Sequence, residues 1–390
     1  MIPVSISKAK DIIVKCFKAN IQSKKLGKGI YLVPYLHSAP SQAKSASMDA
    51  IAKQFNLKFI PISLSMEEPI MIIGGIKVEN GRTINAPPTR IPLATDPLPL
   101  KDEYIGMTNQ YEQVLAKGGK ELKVFQKNYC YSGFLVFFDE FADAPPTLQR
   151  MCNRILNERM VGTYHIHPLC MLAGAGNRIQ DKAGVTSPMS SATKSRLWHI
   201  SVTQNYQDTL DYFIKEKFDM RIIATLVHYP EELDSFEEYL KSKSADYTYR
   251  CSRTWEMVNC FLRANYPNTD EALPDDAAIE LEGAIGSFAS RMVVLSKVVD
   301  ELPKLEDIVS KPETTPIPDS NGACMMLISS LATKMNKDNQ SAIIKYVLRM
   351  NSIFIQPFVY TAFNNGIPVI EIEELGPYIH YISKLAKKLN

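Results

Sequence analysis

Two adjacent carboxylates, Asp139 and Glu140, end the apolar run Phe134 to Phe138. Carboxylates so placed can divide labour, one holding a divalent cation directly or through water and the other orienting an attacking water. Asp139 takes the first role here, with magnesium as the cation, and Glu140 the second. Asn177 follows a second apolar run, Leu169 to Ala173, by way of Gly174-Ala175-Gly176. Its amide would hold the same water or the terminal phosphate of a substrate. Earlier in the chain, Lys44-Ser45 follows the loop Ser38-Ala39-Pro40-Ser41-Gln42-Ala43. A lysine there can reach the β and γ phosphates of a nucleotide, and the hydroxyl beside it can ligate magnesium. An isolated Asp-Glu pair or a Ser-rich loop can equally cap a helix. The order of these pieces along one chain favours phosphate chemistry.

The elements that must position these groups are legible around them. Phe134 to Phe138 fits a strand buried on both faces. In an open parallel sheet, ligands sit beyond the carboxyl ends of the strands, where the acidic pair falls. Leu169 to Ala173 reads as a neighbouring strand. Between the two, Pro145-Pro146 opens a helix carrying Leu148, Met151, Ile155 and Leu156 at helical spacing. Gly29 to Leu36 reads as the strand before the Lys-Ser loop, with Pro34 inside it, and the helix that follows runs through Phe55. This loop departs from the pattern G-x-x-x-x-G-K-[ST], because Ser38 and Ala43 stand where glycines belong. A left-handed Ala43 costs about 1–2 kcal/mol, and its methyl crowds the phosphates.

A helix at 7–22 and a strand from Lys58 to Ser63 complete the early part of the chain. The run Pro69 to Val78 and the turn Asn80-Gly81 read as a β-hairpin. Residues 85–100, with five prolines, read as an extended loop, and 108–128 as helix. Arg196 precedes a strand reaching Val202. Residues 206–229 and 254–302 have helical patterns, 231–250 reads as an exposed connection, and 303–319 as a proline-marked linker. Helices are expected at 322–335 and 338–363, and a short one at 377–389 ends in Lys384, Lys387 and Lys388.

The 390 residues suggest two or three domains. Apolar content of 45% and charged content of 22% are those of a globular protein. The net charge of +2 makes no case for nucleic acid or membrane binding by bulk charge. Seven cysteines form no CxxC pair and read as thiols of a reducing compartment. His165 and His167 read as ordinary strand residues. With no signal-peptide pattern and no apolar run long enough for a membrane span, a cytoplasmic location is expected.

The segments DEFADAPPTLQRMCNRILNERMVGTYHI, GAGNR and SPMSSATKSRLWHISV resemble the Walker B, sensor 1 and finger regions of the MoxR-like branch of the AAA+ ATPases. GGIKVENGRTINAPPTRIP is similar to an insertion of that branch, and SRTWE to the start of its sensor 2. The resemblance covers roughly residues 5–300 and implies an α/β fold: an AAA+ P-loop core with a parallel sheet over 1–205, a helical lid over 206–302, a linker at 303–319 and a C-terminal helical region over 320–390. It implies ATP held by Ser38 to Ser45, Mg2+ on Ser45 and Asp139, and Glu140 and Asn177 in hydrolysis. Arg196 would be the finger reaching a neighbouring subunit's nucleotide, and Arg253 the sensor 2 arginine of the lid. A hexameric ring that remodels a protein client is further implied, with a von Willebrand A-type domain protein as partner. A degenerate scaffold that binds nucleotide weakly or not at all is the alternative, favoured by the missing glycines. A DNA-acting motor is disfavoured by the charge.

Overall fold

A computed structural model describes residues 1–25, 31–178, 181, 189–242, 247–269, 271–298 and 302–379. The chain divides into two compact units, Met1–Asn205 and Tyr206–Asn390. The expected helix at 377–389 lies mostly outside the described residues, as does the start of the expected strand at Gly29.

The strands of the first unit are β1 (Pro34–His37), β2 (Leu57–Ser63), β3 (Gly75–Glu79), β4 (Arg82–Ala86), β5 (Gly133–Asp139), β6 (Met160–Val161), β7 (Tyr164–His165), β8 (Cys170–Gly176) and β9 (Trp198–Ser201). Five of them form one parallel sheet in the order β2-β5-β8-β1-β9. Its helices are α1 (Ile6–Lys25), α2 (Lys44–Gln54), α3 (Pro69–Ile73), α4 (Thr108–Lys117), α5 (Gly119–Tyr129), α6 (Pro146–Glu158) and α7 (Ser191–Lys194). Both faces of the sheet are covered. Leu135 and Phe137 point into a core with Ile13 and Phe17 of α1 and Met48 and Ile51 of α2. Phe134, Val136 and Phe138 point into another with Leu148, Cys152 and Ile155 of α6. Two apolar coats explain why β5 is apolar without alternation. Pro34 is tolerated because it begins its strand, and Pro61 because β2 is an edge.

This is the α/β class with a parallel sheet that the sequence leads one to expect. The hairpin β3–β4 is present, with Asn80 (φ 51°) and Gly81 (φ 70°) supplying its turn. The apolar run before it is not all strand: Pro69–Ile73 is a helix, with the proline in its first turn, and extended chain begins only after Gly74. Gly118, at φ 67°, splits the expected helix at 108–128 into α4 and α5.

The second unit is helical: α8 (Tyr206–Lys215), α9 (Met220–His228), α10 (Phe236–Lys241), α11 (Ser252–Asn265), α12 (Ala277–Ile285), α13 (Phe288–Ser296), α14 (Leu305–Ser310), α15 (Asn321–Lys334), α16 (Gln340–Val347) and α17 (Ser352–Asn364). One continuous apolar core runs from Leu210 to Leu375. The expected lid and C-terminal region therefore share a core. The 303–319 segment contains α14, whose Ile308 is fully buried, and the supposed connection at 231–250 buries Leu233 and Phe236. In both segments a single apolar residue per turn meets a core built by distant helices, a signal too sparse to read locally. Among the described residues, no helix is long and apolar enough to cross a membrane.

Candidate functional site

Parallel strands deliver their carboxyl ends to one edge, and the candidate residues follow those ends. The loop Ser38 to Ala43 leaves β1 and enters α2, Asp139 closes β5, and Asn177 follows β8. Lys44 Nζ donates to Asn177 Oδ1 (3.1 Å), Ser38 Oγ (3.1 Å) and the Ala39 carbonyl (3.2 Å). Ser45 Oγ donates to Asp139 Oδ2 at 2.5 Å. Four residues from three separate segments thus meet. Burial pulls the Lys44 ammonium below its usual range, and the charges of Asp139, Asp181 and Asp143 oppose that.

The loop backbone does what glycines normally do, without them. Ala43 is left-handed (φ 50°, ψ 30°), as is Ser41 (φ 63°). No side chain caps α2, so its first-turn N–H groups remain suited to an anion. Ala43→Gly removes the Cβ penalty, offset in part by the glycine's greater unfolded-state freedom. The net gain expected is about 0.5–1 kcal/mol, read as a melting temperature raised by roughly 1–3 °C. An unchanged or lower melting point would mean that the left-handed alanine is not strained.

Glu140 is also left-handed (φ 53°), and its N–H donates to Asp139 Oδ1 at 2.9 Å. Its carboxylate Oε2 accepts from Ser63 Oγ at 2.6 Å and from Ser65 Oγ. Ser63 faces Asp139 in the β2–β5 register. Neither serine stood out in the sequence, because only strand pairing brings them to the acidic pair.

The glycines before Asn177 answer to Tyr35. A Cβ on Gly176 would lie 2.2 Å from the Tyr35 hydroxyl, and one on Gly174 would lie 2.9 Å from its ring. Among the described residues no well-formed hydrogen bond reaches that buried hydroxyl, and burial, then Asp143 and Asp139, push its pKa up, with the Ala142 backbone N–H nearby opposing them. Asp143, also unnoticed in the sequence, accepts from Asn177 Nδ2 at 3.0 Å.

His37, at the end of β1, stacks on His199 of β9, with Nε2 to Nδ1 at 2.8 Å. His199 Nε2 lies 2.8 Å from the Lys194 carbonyl, which can only accept. With both rings neutral, each therefore carries its proton on Nε2, and His37 donates to His199. Burial, then electrostatic repulsion from His199, Lys194, Arg178 and Lys44, pulls the His37 pKa down to about 4. A histidine depressed in the fold is protonated first in the unfolded chain. Its stabilising share is therefore complete above pH ~6.5 and lost as pH falls toward ~4. With allowance for partial exposure the loss is on the order of 2 kcal/mol. Melting curves at pH 7 and 4.5 should show a smaller drop for His37→Gln than for the wild type. Equal drops would remove His37 as the cause.

Not every predicted residue joins this group. Arg196 precedes β9, at the amino-terminal side of the sheet. It donates to the Ala192 carbonyl of α7, and its Nε is buried without a hydrogen bond among the described residues. Among the described residues, no contact links it to Lys44, Asp139, Glu140 or Asn177. Arg253, in the first turn of α11, is exposed in the second unit, where it borders a shallow depression with Glu256, Met257 and Cys260. His165 lies on β7, whereas His167 is buried beyond it and accepts from the Leu169 N–H at Nδ1 (3.1 Å).

The donor set fits magnesium with a nucleotide. No group of three or more His, Cys, Asp or Glu among the described residues could hold a metal ion by itself. Magnesium differs from zinc in this respect, taking one or two protein oxygens and completing its shell with phosphate and water. Ser45 and Asp139, already in contact, are such a pair.

No protein-family model matches the chain, and no curated protein matches it. Similar solved structures include three point mutants of RuvB from Thermotoga maritima. The first is 12% identical with a TM-score of 0.29, covering 97% of this chain and 91% of that one. The second is 13% identical with a TM-score of 0.29, covering 88% and 87%. The third is 11% identical with a TM-score of 0.28, covering 95% and 86%. Likeness at this level supports no statement about activity or assembly.

Proposed function

We propose that this chain is a magnesium-dependent ATPase of the AAA+ class, close to its MoxR-like branch, working in a ring of copies to remodel a protein client. The observation that carries the reading is the convergence of Lys44, Ser45, Asp139 and Asn177 at the carboxyl ends of β1, β5 and β8. Lys44 leaves its three oxygen partners to bind the β and γ phosphates, and Ser45 and Asp139 hold the metal. Bound magnesium supplies charge neutralisation between the phosphates. Glu140 leaves Ser63 and Ser65 to take a proton from the attacking water. The sequence resemblance gives Arg196 the finger role in a neighbouring subunit's site and Arg253 the sensor 2 role. Ile76 and Val78, exposed on the hairpin at 81% and 70%, offer an apolar surface for a client. A von Willebrand A-type domain protein is the partner expected from the sequence resemblance.

A second reading, a scaffold with a weak site, is favoured by one observation. Lys44 is already satisfied by Ser38, Ala39 and Asn177, and each of those bonds must be given up for phosphate.

Mixing separates the readings and tests the ring. Arg196→Ala and Lys44→Ala are each expected to be inactive alone. Mixed, they should recover a measurable part of wild-type ATP turnover, since some interfaces pair an intact loop with an intact finger. No recovery from two soluble, oligomeric variants would sink the shared-site assignment.

A further inference from the structure

Asn177 has two chemically different ends, and the structure uses them differently. Its Nδ2 donates to Asp143 Oδ2 at 3.0 Å, while its Oδ1 accepts from Lys44 Nζ at 3.1 Å. A primary amide can turn end for end at little cost in volume, exchanging a donor for an acceptor at the same place. A carboxylate accepts but cannot donate, so Asp143 permits only one of the two orientations.

Asp143 does not depend on Asn177 for its own position. Its backbone N–H closes a turn onto the Glu140 carbonyl at 3.0 Å, and Phe141 N–H is anchored to the Ala175 carbonyl of β8 at 2.9 Å. On either side of Asp143, the carbonyls of Ala142 (3.4 Å) and Ala144 (2.9 Å) both accept from Nε2 of the buried Gln149 of α6. The fold therefore holds a carboxylate rigidly beside the amide. It does so at a cost, since Asp143 Oδ1 is buried without a hydrogen-bond partner among the described residues. Desolvation raises the pKa of Asp143, and the bond from Asn177 works against that rise. A half-buried, half-satisfied carboxylate beside Asp139 and Glu140 is electrostatically unfavourable there.

We propose that Asp143 is a positioning residue that locks the amide of Asn177 with Oδ1 toward Lys44 and the loop, making Asn177 the acceptor that orients the attacking water. This rests on the ATP-hydrolysis reading above and favours one of two roles for Asn177, since it is the acceptor end of the amide that faces Lys44 and the loop, while the donor end is turned to Asp143. Asp143 itself touches neither nucleotide nor water.

Three measurements on the full chain test this. Asp143→Ala should lower kcat for ATP about 10- to 100-fold, with the dissociation constant for ADP within about twofold of the wild type. A merely structural role would move ADP affinity along with kcat. Asn177→Asp sets two carboxylates face to face and should also lose turnover. Adding Asp143→Asn restores a donor–acceptor pair with the direction of the bond reversed, and should recover at least about tenfold over Asn177→Asp alone. Asp143→Ala with wild-type kcat, or no recovery in the double exchange, overturns the proposal. A wild type without any turnover would sink the hydrolysis reading instead. The contact is then judged by melting temperatures of Asp143→Ala, Asn177→Ala and the double variant. A double variant that falls no further than the worse single one supports the coupling, and additive falls overturn it.

Discussion

Glu140→Gln is expected to lose ATP turnover by roughly 10²- to 10⁴-fold while ATP binding is kept. The substitution keeps volume and one acceptor oxygen, so Ser63 and Ser65 retain a partner and the left-handed turn at residue 140 need not move. What it removes is the negative charge and the capacity to take a proton from water. Neither is needed to hold phosphate. ATP is itself anionic and Asp139 is the adjacent residue, so loss of one negative charge leaves binding equal or tighter. Steady-state turnover beside calorimetric titration with ATP reads both quantities. A variant with wild-type turnover would remove Glu140 from the mechanism, and a variant that no longer binds would make it a structural residue.

Arg221→Ala is expected to cost the helical unit about 3–5 kcal/mol. Arg221 and Asp219 are 2% and 3% exposed, and all five guanidinium donors are used. Nε and Nη2 bind the two Asp219 oxygens at 2.9 and 2.6 Å, Nη2 also reaches the Tyr266 carbonyl at 2.6 Å, and Nη1 reaches those of Asn268 and Glu271 at 3.2 and 3.3 Å. Asp219 caps α9 through the Arg221 N–H, and its own N–H donates to Asn259 of α11. Truncating the arginine therefore strands a buried carboxylate and three carbonyls together. For a unit of this size the loss corresponds to a fall in melting temperature on the order of 10 °C. Lysine, with a single ammonium, cannot replace the planar fork and should recover only part of this. The pair itself need not be favourable. Asp219→Ala with Arg221→Met, which removes both charges, should be less damaged than Arg221→Ala alone. A drop of only 1–2 °C in Arg221→Ala would mean that water reaches the site.

The sequence made some of this legible for definite physical reasons. Strand β5 stood out because apolar cores on both sides leave no polar alternation, and its end marked Asp139. Lys44-Ser45 could be placed because a strand, a loop and a helix follow one another locally. The supports of the site could not be found that way. Ser63 and Ser65 reach Glu140 from β2, and His199 reaches His37 from β9 across more than 160 residues of chain. Pairing of that kind depends on sheet order, which no local pattern encodes. Asp143 lay only three residues past the acidic pair, but nothing local ties it to Asn177, which follows a different strand. The buried Asp219–Arg221 pair sat inside what reads as one helix over 206–229. The break between α8 and α9, with Lys217 left-handed at φ 55°, is set by where Asp219 caps rather than by hydrophobic period. Ala43 shows the converse: the sequence flagged a missing glycine, and the backbone there adopts the conformation a glycine would have favoured.

The central claim is that Lys44, Ser45, Asp139 and Asn177 form a working site for ATP. ATP turnover by the wild-type chain, with magnesium and then with excess chelator, at concentrations high enough to assemble a ring, tests it most directly. The account predicts turnover that requires magnesium and disappears in Lys44→Ala. Absence of turnover together with absence of ATP binding by calorimetry would contradict it and leave a protein whose phosphate loop serves only the fold.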